Sequence, residues 1–325
     1  MLGTGTQVIL DDPMNPSASI AHSIKVSAGS LYVAGMINSK FMVAKLDSTT
    51  GALDTTFGDA AVCDPGPCDP ATQIGYATFD FGHSALGDES EAHDLYVDTA
   101  GGAIYATGFT RYADGTVQEL AVAKFNLADG VLLDSNTFLP APATQAIARS
   151  IAVDSSNRIY LGGDVDGSFA MFRIDSSLDL DPAFNALDTP GYRLTALTGG
   201  STEDAAHQLL IDGQDRPVLV GKSKSGTADD LMNFAIIRYT TSGILDTSFG
   251  DSSSGIMTID LQPGKNDEAN AVAIEPALDY IAENDASRKV SDGEKLVVVG
   301  KSYVNFSIGT TFAVTRIFGR GTPPP

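Results

Sequence analysis

The 325-residue sequence has no tryptophan, only two cysteines, and 20 basic residues against 41 acidic ones. Each shortage excludes something. Without tryptophan there is no indole platform for stacking on sugars, and repeat families that dock through tryptophan are disfavoured. A net charge of −21 leaves no basic footprint to exchange for the counterions of a phosphate backbone, so no nucleic-acid partner is expected. Anionic membrane surfaces are disfavoured on the same ground. No apolar run approaches the roughly 20 residues that span a bilayer, so no membrane insertion is expected. The opening MLGTGTQVIL lacks the basic start and long apolar stretch of a secretion signal. The closing stretch, residues 319–325, reads as a proline-rich tail or linker.

The two cysteines, Cys63 and Cys68, flank a Pro-Gly-Pro turn in VCDPGPCDP. A local disulfide stapling a long loop fits this spacing, and it implies an extracellular, cell-surface or periplasmic home. A zinc site is a poorer reading, because two thiols without a nearby histidine fall short of four ligands. The gap of four residues also differs from the two of a thioredoxin-like pair.

What the chain does have is repetition. GALDTTFGD (Gly51–Asp59) returns as GILDTSFGD (Gly243–Asp251), with weaker versions in LDSNTF (Leu133–Phe138) and LDPAFN (Leu180–Asn185). Upstream of these turns run FMVAKL, LAVAKF, FAMFRI, FAIIRY and FAVTRI, which place Lys45, Lys124, Arg173, Arg238 and Arg316 in one register. Before each comes a short apolar strand closed by glycine, and before that an alternating strand opened by Ala21, Ala92, Ala148, Ala206 or Ala269. The intervals between these alanines are 71, 56, 58 and 63 residues. A fourth strand follows the turn, in YATFDF from Tyr76, YRLTAL from Tyr192 and IMTIDL from Ile256; the second unit offers only TFLPA from Thr137. Helical periodicity is confined to Ala277–Lys289, in an insertion between the first two strands of unit five.

Four short antiparallel strands per unit, with Gly and Asp turns, describe an all-β chain and specifically the blades of a five-bladed β-propeller. The blades fall at about 18–81, 88–142, 145–197, 203–261 and 266–318, with residues 5–10 (GTQVIL) completing the last blade from the N-terminus. Residues 1–318 then form one domain.

Two columns of the repeat invite chemistry. The turn aspartates Asp54, Asp134, Asp181 and Asp246 are expected to bond backbone N–H groups within their turns, since one carboxylate per copy is far from the six to eight oxygens calcium wants. The five cations are expected to pair with an acid or carbonyl of the neighbouring blade; a ring of cations binding an anion is the sharper alternative. His22, His93 and His207 share one register on the innermost strands, with Arg149 and Asn270 in the other two blades. They form a channel ring that holds a transition metal or an anion, or else each hydrogen-bonds an adjacent blade, which is the preferred reading. DVDGS (Asp164–Ser168) has the opening spacing of a calcium loop at Asp164 and Asp166 but lacks the remaining ligands. No cofactor is required by any of this; calcium is the first metal to consider and zinc the second. No serine-nucleophile elbow, phosphate loop or acid–base pair stands out, so no catalytic residue is assigned.

The strongest repeat copies, Phe41–Gly58 and Phe234–Gly250, resemble the bacterial delta-sixty repeat, and the resemblance extends from about Ala21 to Phe318. It implies tandem units near sixty residues in an exported or surface protein, with a scaffold or adhesive role and no catalytic residues to transfer. The expectation is therefore a non-enzymatic binding or scaffold module meeting a protein or glycan partner at the cell surface. The alternatives are a metal-dependent hydrolase or lyase using the histidines, and a structural subunit of an extracellular fibre or coat.

Overall fold

Short runs of β-branched and aromatic residues, cut by Gly, Asp, Asn and Ser, favour pleated strands joined by tight turns. The computed structural model describes residues 19–59, 74–82, 89–197, 203–224, 231–275, 279–282, 285–291, 295–305 and 309–318. The Cys63–Cys68 pair, the strand expected within Thr6–Leu10 and the C-terminal tail lie outside the described residues.

Among the described residues the fold is all-β and antiparallel. The first sheet runs β1 (Ser19–Ser27), β2 (Ser30–Ile37), β3 (Lys40–Asp47), β4 (Tyr76–Phe79), and the second β5 (Glu89–Asp98), β6 (Ala103–Arg111), β7 (Gln118–Asn126), β8 (Leu132–Phe138). The third runs β9 (Ala146–Val153), β10 (Ile159–Val165), β11 (Ser168–Ile174), β12 (Tyr192–Thr195). The fourth runs β13 (Ala205–Ile211), β14 (Pro217–Lys224), β15 (Met232–Arg238), β16 (Ile256–Ile259). A fifth sheet has three strands, β17 (Asp267–Glu275), β20 (Lys295–Asn305) and β21 (Gly309–Phe318); β18 (Asp279–Ala282) pairs with β19 (Asp285–Ser291) alone. No helix among the described residues is long and apolar enough to cross a membrane.

The chain divides into two units, Met1–Ile151 with Ser176–Asp179, and Ala152–Asp175 with Leu180–Pro325. In the first, Phe41, Phe57 and Phe125 are buried together with alanines of β2, β6 and β7. In the second, one cluster gathers Tyr160, Phe169, Phe184 and Tyr239, and another gathers Val218, Phe234, Phe249 and Val298. Middle strands such as β6 are buried almost end to end, while β5 begins with strict alternation. A strand covered on both faces needs no polar side, which is why the second strands read as unbroken apolar runs.

The repeated Leu-Asp-x-x-Phe turn packs as a triad. Lys45 Nζ lies 2.9 Å from Asp54, Arg173 Nε 2.8 Å from Asp181, and Arg238 Nε 2.8 Å from Asp246. Each cation also stands over the phenylalanine of its own turn, Phe57, Phe184 or Phe249. Burial opposes ionisation of Asp54, but bonds from Thr56 and Lys45 hold its carboxyl at about 2. The acid partner is therefore in the same sheet, not in the neighbouring one as expected, because the turn folds back over the strand that carries the cation. Two further bonds do reach the adjacent sheet: Lys124 Nζ donates to the carbonyl of Ser176 at 2.8 Å and Arg173 Nη1 to that of Thr241 at 2.7 Å. Arg316 pairs with Glu275.

Two local expectations are corrected. LDSNTF is not a turn: Asp134 lies in β8, opposite Lys124. The chain has already reversed at residues 127–130, where the N–H of Gly130 bonds the carbonyl of Asn126 at 2.9 Å, so the next residues are free to form the fourth strand. The helical pattern of Ala277–Lys289 gives way to the β18–β19 hairpin. A segment of this length is marginal as an isolated helix.

Candidate metal centre

Each of four first strands breaks its pairing at the same place. The register shifts between Ala21 and Ser23, Ala92 and Asp94, Ala206 and Gln208, and Ala269 and Ala271. The residues passed over are His22, His93, His207 and Asn270. A β-bulge of this kind leaves one residue unpaired and re-aims its side chain. The glycine closing each second strand makes room: a Cβ on Gly35 would stand 1.9 Å from the carbonyl oxygen of Ile20, and one on Gly108 1.8 Å from that of Glu91. The histidine column and the glycine column are thus two halves of one backbone device.

In the first unit this device brings three ligand atoms together. His22 Nε2 meets Glu91 Oε1, and His93 Nε2 lies 3.3 Å from the same oxygen. The two imidazoles stack with centroids 4.5 Å apart and planes 24° from parallel. All three donor atoms lie within 4.8 Å of one another. Phe109 stands edge-on to His93 at 5.7 Å and gives the site an apolar wall. His93 Nε2 is buried and makes no hydrogen bond, despite its closeness to Glu91. Buried polar atoms are nearly always satisfied, so an orphan of this kind calls for an explanation. The His93 imidazole, helped by the charge of His22, holds the Glu91 carboxyl below its ordinary range although burial pushes the other way.

Beside the cluster, Asp94 ties three first strands together. It accepts from Ser23 Oγ at 2.6 Å, Ser150 Oγ at 3.0 Å and the Ile151 N–H at 3.1 Å, and Lys25 Nζ lies 3.0 Å away. A ligand set needs this kind of support to hold its geometry.

The residues of the histidine column differ in their partners. Among the described residues the cluster able to hold a metal is His22, Glu91 and His93, and its third member is a carboxylate rather than His207. His207 Nδ1 donates to the Ala269 carbonyl at 2.8 Å and its Nε2 lies 3.5 Å from Glu268. Asn270 is exposed at its bulge, and Arg149 is half-buried on β9. Asp166 and Gly167 take positive φ at the tip of the β10–β11 hairpin, so the calcium-like spacing of Asp164 and Asp166 is ordinary two-residue turn chemistry. Glu91 lies outside the histidine column, one residue before the alanine, and its partner His22 is 69 positions away. The residue before the alanine is Glu in two of the five units, Glu91 and Glu268.

No protein-family model and no curated protein matches the sequence. Several solved structures are similar to it. One is an exo-1,5-alpha-L-arabinanase from a bovine ruminal metagenomic library, at TM-score 0.42 and 11% identity over 95% of this chain and 96% of that one. Another is an endo-arabinase from Bacteroides thetaiotaomicron, at TM-score 0.41 and 14% identity over 93% and 95%. A third is an exo-beta-1,3-galactanase from Phanerochaete chrysosporium, at TM-score 0.39 and 10% identity over 96% and 89%. These structures are named as arabinanases and a galactanase, whereas the sequence led to the expectation of a non-enzymatic binding or scaffold module or a fibre subunit; that expectation is not carried further. A likeness at this level carries neither substrate nor catalytic residue to this chain.

Proposed function

We propose that this protein is a metal-assisted hydrolase whose ion is held by His22, Glu91 and His93. The buried Nε2 of His93 carries the reading: it makes no well-formed hydrogen bond, yet it stands 3.3 Å from the carboxylate oxygen that His22 also meets. Two imidazoles and one carboxylate are the ligand set of one class of catalytic zinc site, with the fourth position left for water. Tetrahedral zinc at about 2.1 Å from each donor needs donors about 3.4 Å apart; His93 and Glu91 are at 3.3 Å, and the closer contact of His22 with Glu91 would open to admit the ion. Calcium, an oxygen-seeking ion, suits this donor set less well. Bound there, zinc would lower the pKa of its water to about 7 and supply hydroxide at neutral pH. The chain would hold the ion, shield one side with Phe109, and fix the histidine-bearing strands through Asp94.

The test is zinc titration of the EDTA-stripped protein, followed by a panel of chromogenic esters, phosphoesters and glycosides. One zinc per chain, an affinity loss of about 100-fold in His93→Ala, and turnover restored by zinc are expected. Zinc affinity indifferent to His93→Ala, or turnover indifferent to EDTA, would overturn the reading.

The finer architecture belongs to the same proposal. The five sheets are read as five blades, with Thr6–Leu10 supplying the strand that the last one lacks, and the chain as a delta-sixty repeat protein. The shared strand order and recurrent bulge support this. Deleting residues 1–10 should then lower stability markedly; an unchanged urea midpoint would count against it.

A further inference from the structure

A cavity of about 260 Å³ opens in the second unit, lined by Lys222 of β14, Asp267 and Glu268 of β17, and Lys301 and Tyr303 of β20. Its volume, below the roughly 300–1,000 Å³ of drug-sized sites, restricts it to a small metabolite. Asp267 is completely buried. Its Oδ2 accepts the N–H groups of Leu261 at 2.7 Å and Gln262 at 3.3 Å, while Oδ1 accepts nothing. A buried carboxylate oxygen without a donor is costly, and the missing donor is one a ligand can bring. Glu268 is already served, by Lys301 at 3.1 Å and by His207. Lys222 makes no ion pair among the described residues, though its charge helps keep Glu268 ionised. Two ammonium groups at one opening balance the two carboxylates there, in a chain that carries 41 acids and 20 bases.

We propose that this cavity binds a hydroxylated carboxylate of single-sugar size, a sugar acid. Its carboxylate rests on Lys222, with Lys301 close by, and one hydroxyl donates to Asp267 Oδ1. The pairing uses each unfilled group once: the free cation takes the anion, and the free acceptor takes the O–H. A neutral sugar leaves Lys222 unused, and a plain carboxylate leaves Asp267 unsatisfied, so both bind more weakly. The site does not depend on the metal centre and stands whether or not that centre binds zinc.

The test is calorimetric titration of the full-length, EDTA-stripped protein with D-glucuronate, D-glucose, acetate and L-alanine. Glucuronate is expected to bind at least tenfold more tightly than any of the other three. Lys222→Gln, at a half-exposed position, should weaken it at least tenfold, and Lys222→Arg should stay within threefold. Glucuronate no better than acetate or glucose overturns the proposal. So does tighter binding of alanine, whose ammonium would then be the donor to Asp267. An unchanged affinity in Lys222→Gln overturns it as well.

Discussion

Glu91 and Glu268 stand at the same point of the repeat, one residue before the alanine that opens a bulge, and each faces the histidine of the preceding sheet's first strand. Yet the two sites end differently. At Glu91 the next bulge carries a second imidazole, His93, and Lys25 is drawn to Asp94 instead. At Glu268 the bulge carries Asn270, and Lys301 occupies the carboxylate. One site keeps a carboxylate and two imidazoles facing one another, and the other neutralises itself with an ammonium. The backbone device comes from the repeat, and the chemistry comes from one or two side chains laid on it.

The largest effect should come from breaking the shared device. A Cβ on Gly108 would meet the Glu91 carbonyl at 1.8 Å, and one on Gly300 the Glu268 carbonyl at 2.0 Å. Neither backbone can yield without moving its bulge, so Gly108→Ala and Gly300→Ala should each cost about 3 kcal/mol in urea unfolding. Tolerance at one site and not the other would show that the bulges are not equivalent.

Next in size is an attempt to make the second site resemble the first. His207 already donates Nδ1–H to a carbonyl, the orientation typical of a metal-bound imidazole, with Nε2 turned toward Glu268. Replacing Lys301 by Gln and Asn270 by His should complete a second ligand set and raise zinc stoichiometry from one to two per chain. Stoichiometry by calorimetry decides it; a value still at one means the backbone alone does not position the ligands. The single change His207→Ala should leave the affinity of the native centre within twofold, against about 100-fold for His93→Ala, a difference of about 2.7 kcal/mol.

Much of this architecture is written in single columns of the sequence. The alanine, glycine and Leu-Asp-x-x-Phe columns mark strand starts, strand ends and turns, and β1 to β7 follow them closely. The bulge is written there only faintly. In AHSIKV and AHDLYV two polar residues stand side by side, His22-Ser23 and His93-Asp94, and this single break in the period of two falls where His22 and His93 swing out of register. Glu91 was hidden for a different reason: its role depends on a histidine 69 positions earlier, and no local pattern encodes that meeting. LDSNTF misled because similar letters serve as turn or strand according to where the preceding loop has already reversed.

The smallest expected effect concerns pH at the neutralised site. Burial alone would raise the carboxyl of Glu268, but the Lys301 hydrogen bond, with the charges of His207 and Lys222, outweighs it and holds the group below the ordinary glutamate range. A carboxyl depressed on folding contributes stability that is fully present above its unfolded pKa and is lost as pH falls through the folded one. Lys301 is about half exposed, so solvent screening limits its share to about 0.5 kcal/mol. Lys301→Gln should therefore lower the urea midpoint slightly at pH 6 and by less at pH 3, where the unfolded carboxyl is protonated and the advantage of the folded one is smaller. A larger loss at pH 3 than at pH 6 would reverse the sign of the coupling. It would mean that Lys301 acts through something other than the Glu268 charge, and the contrast with Glu91 would then need another basis.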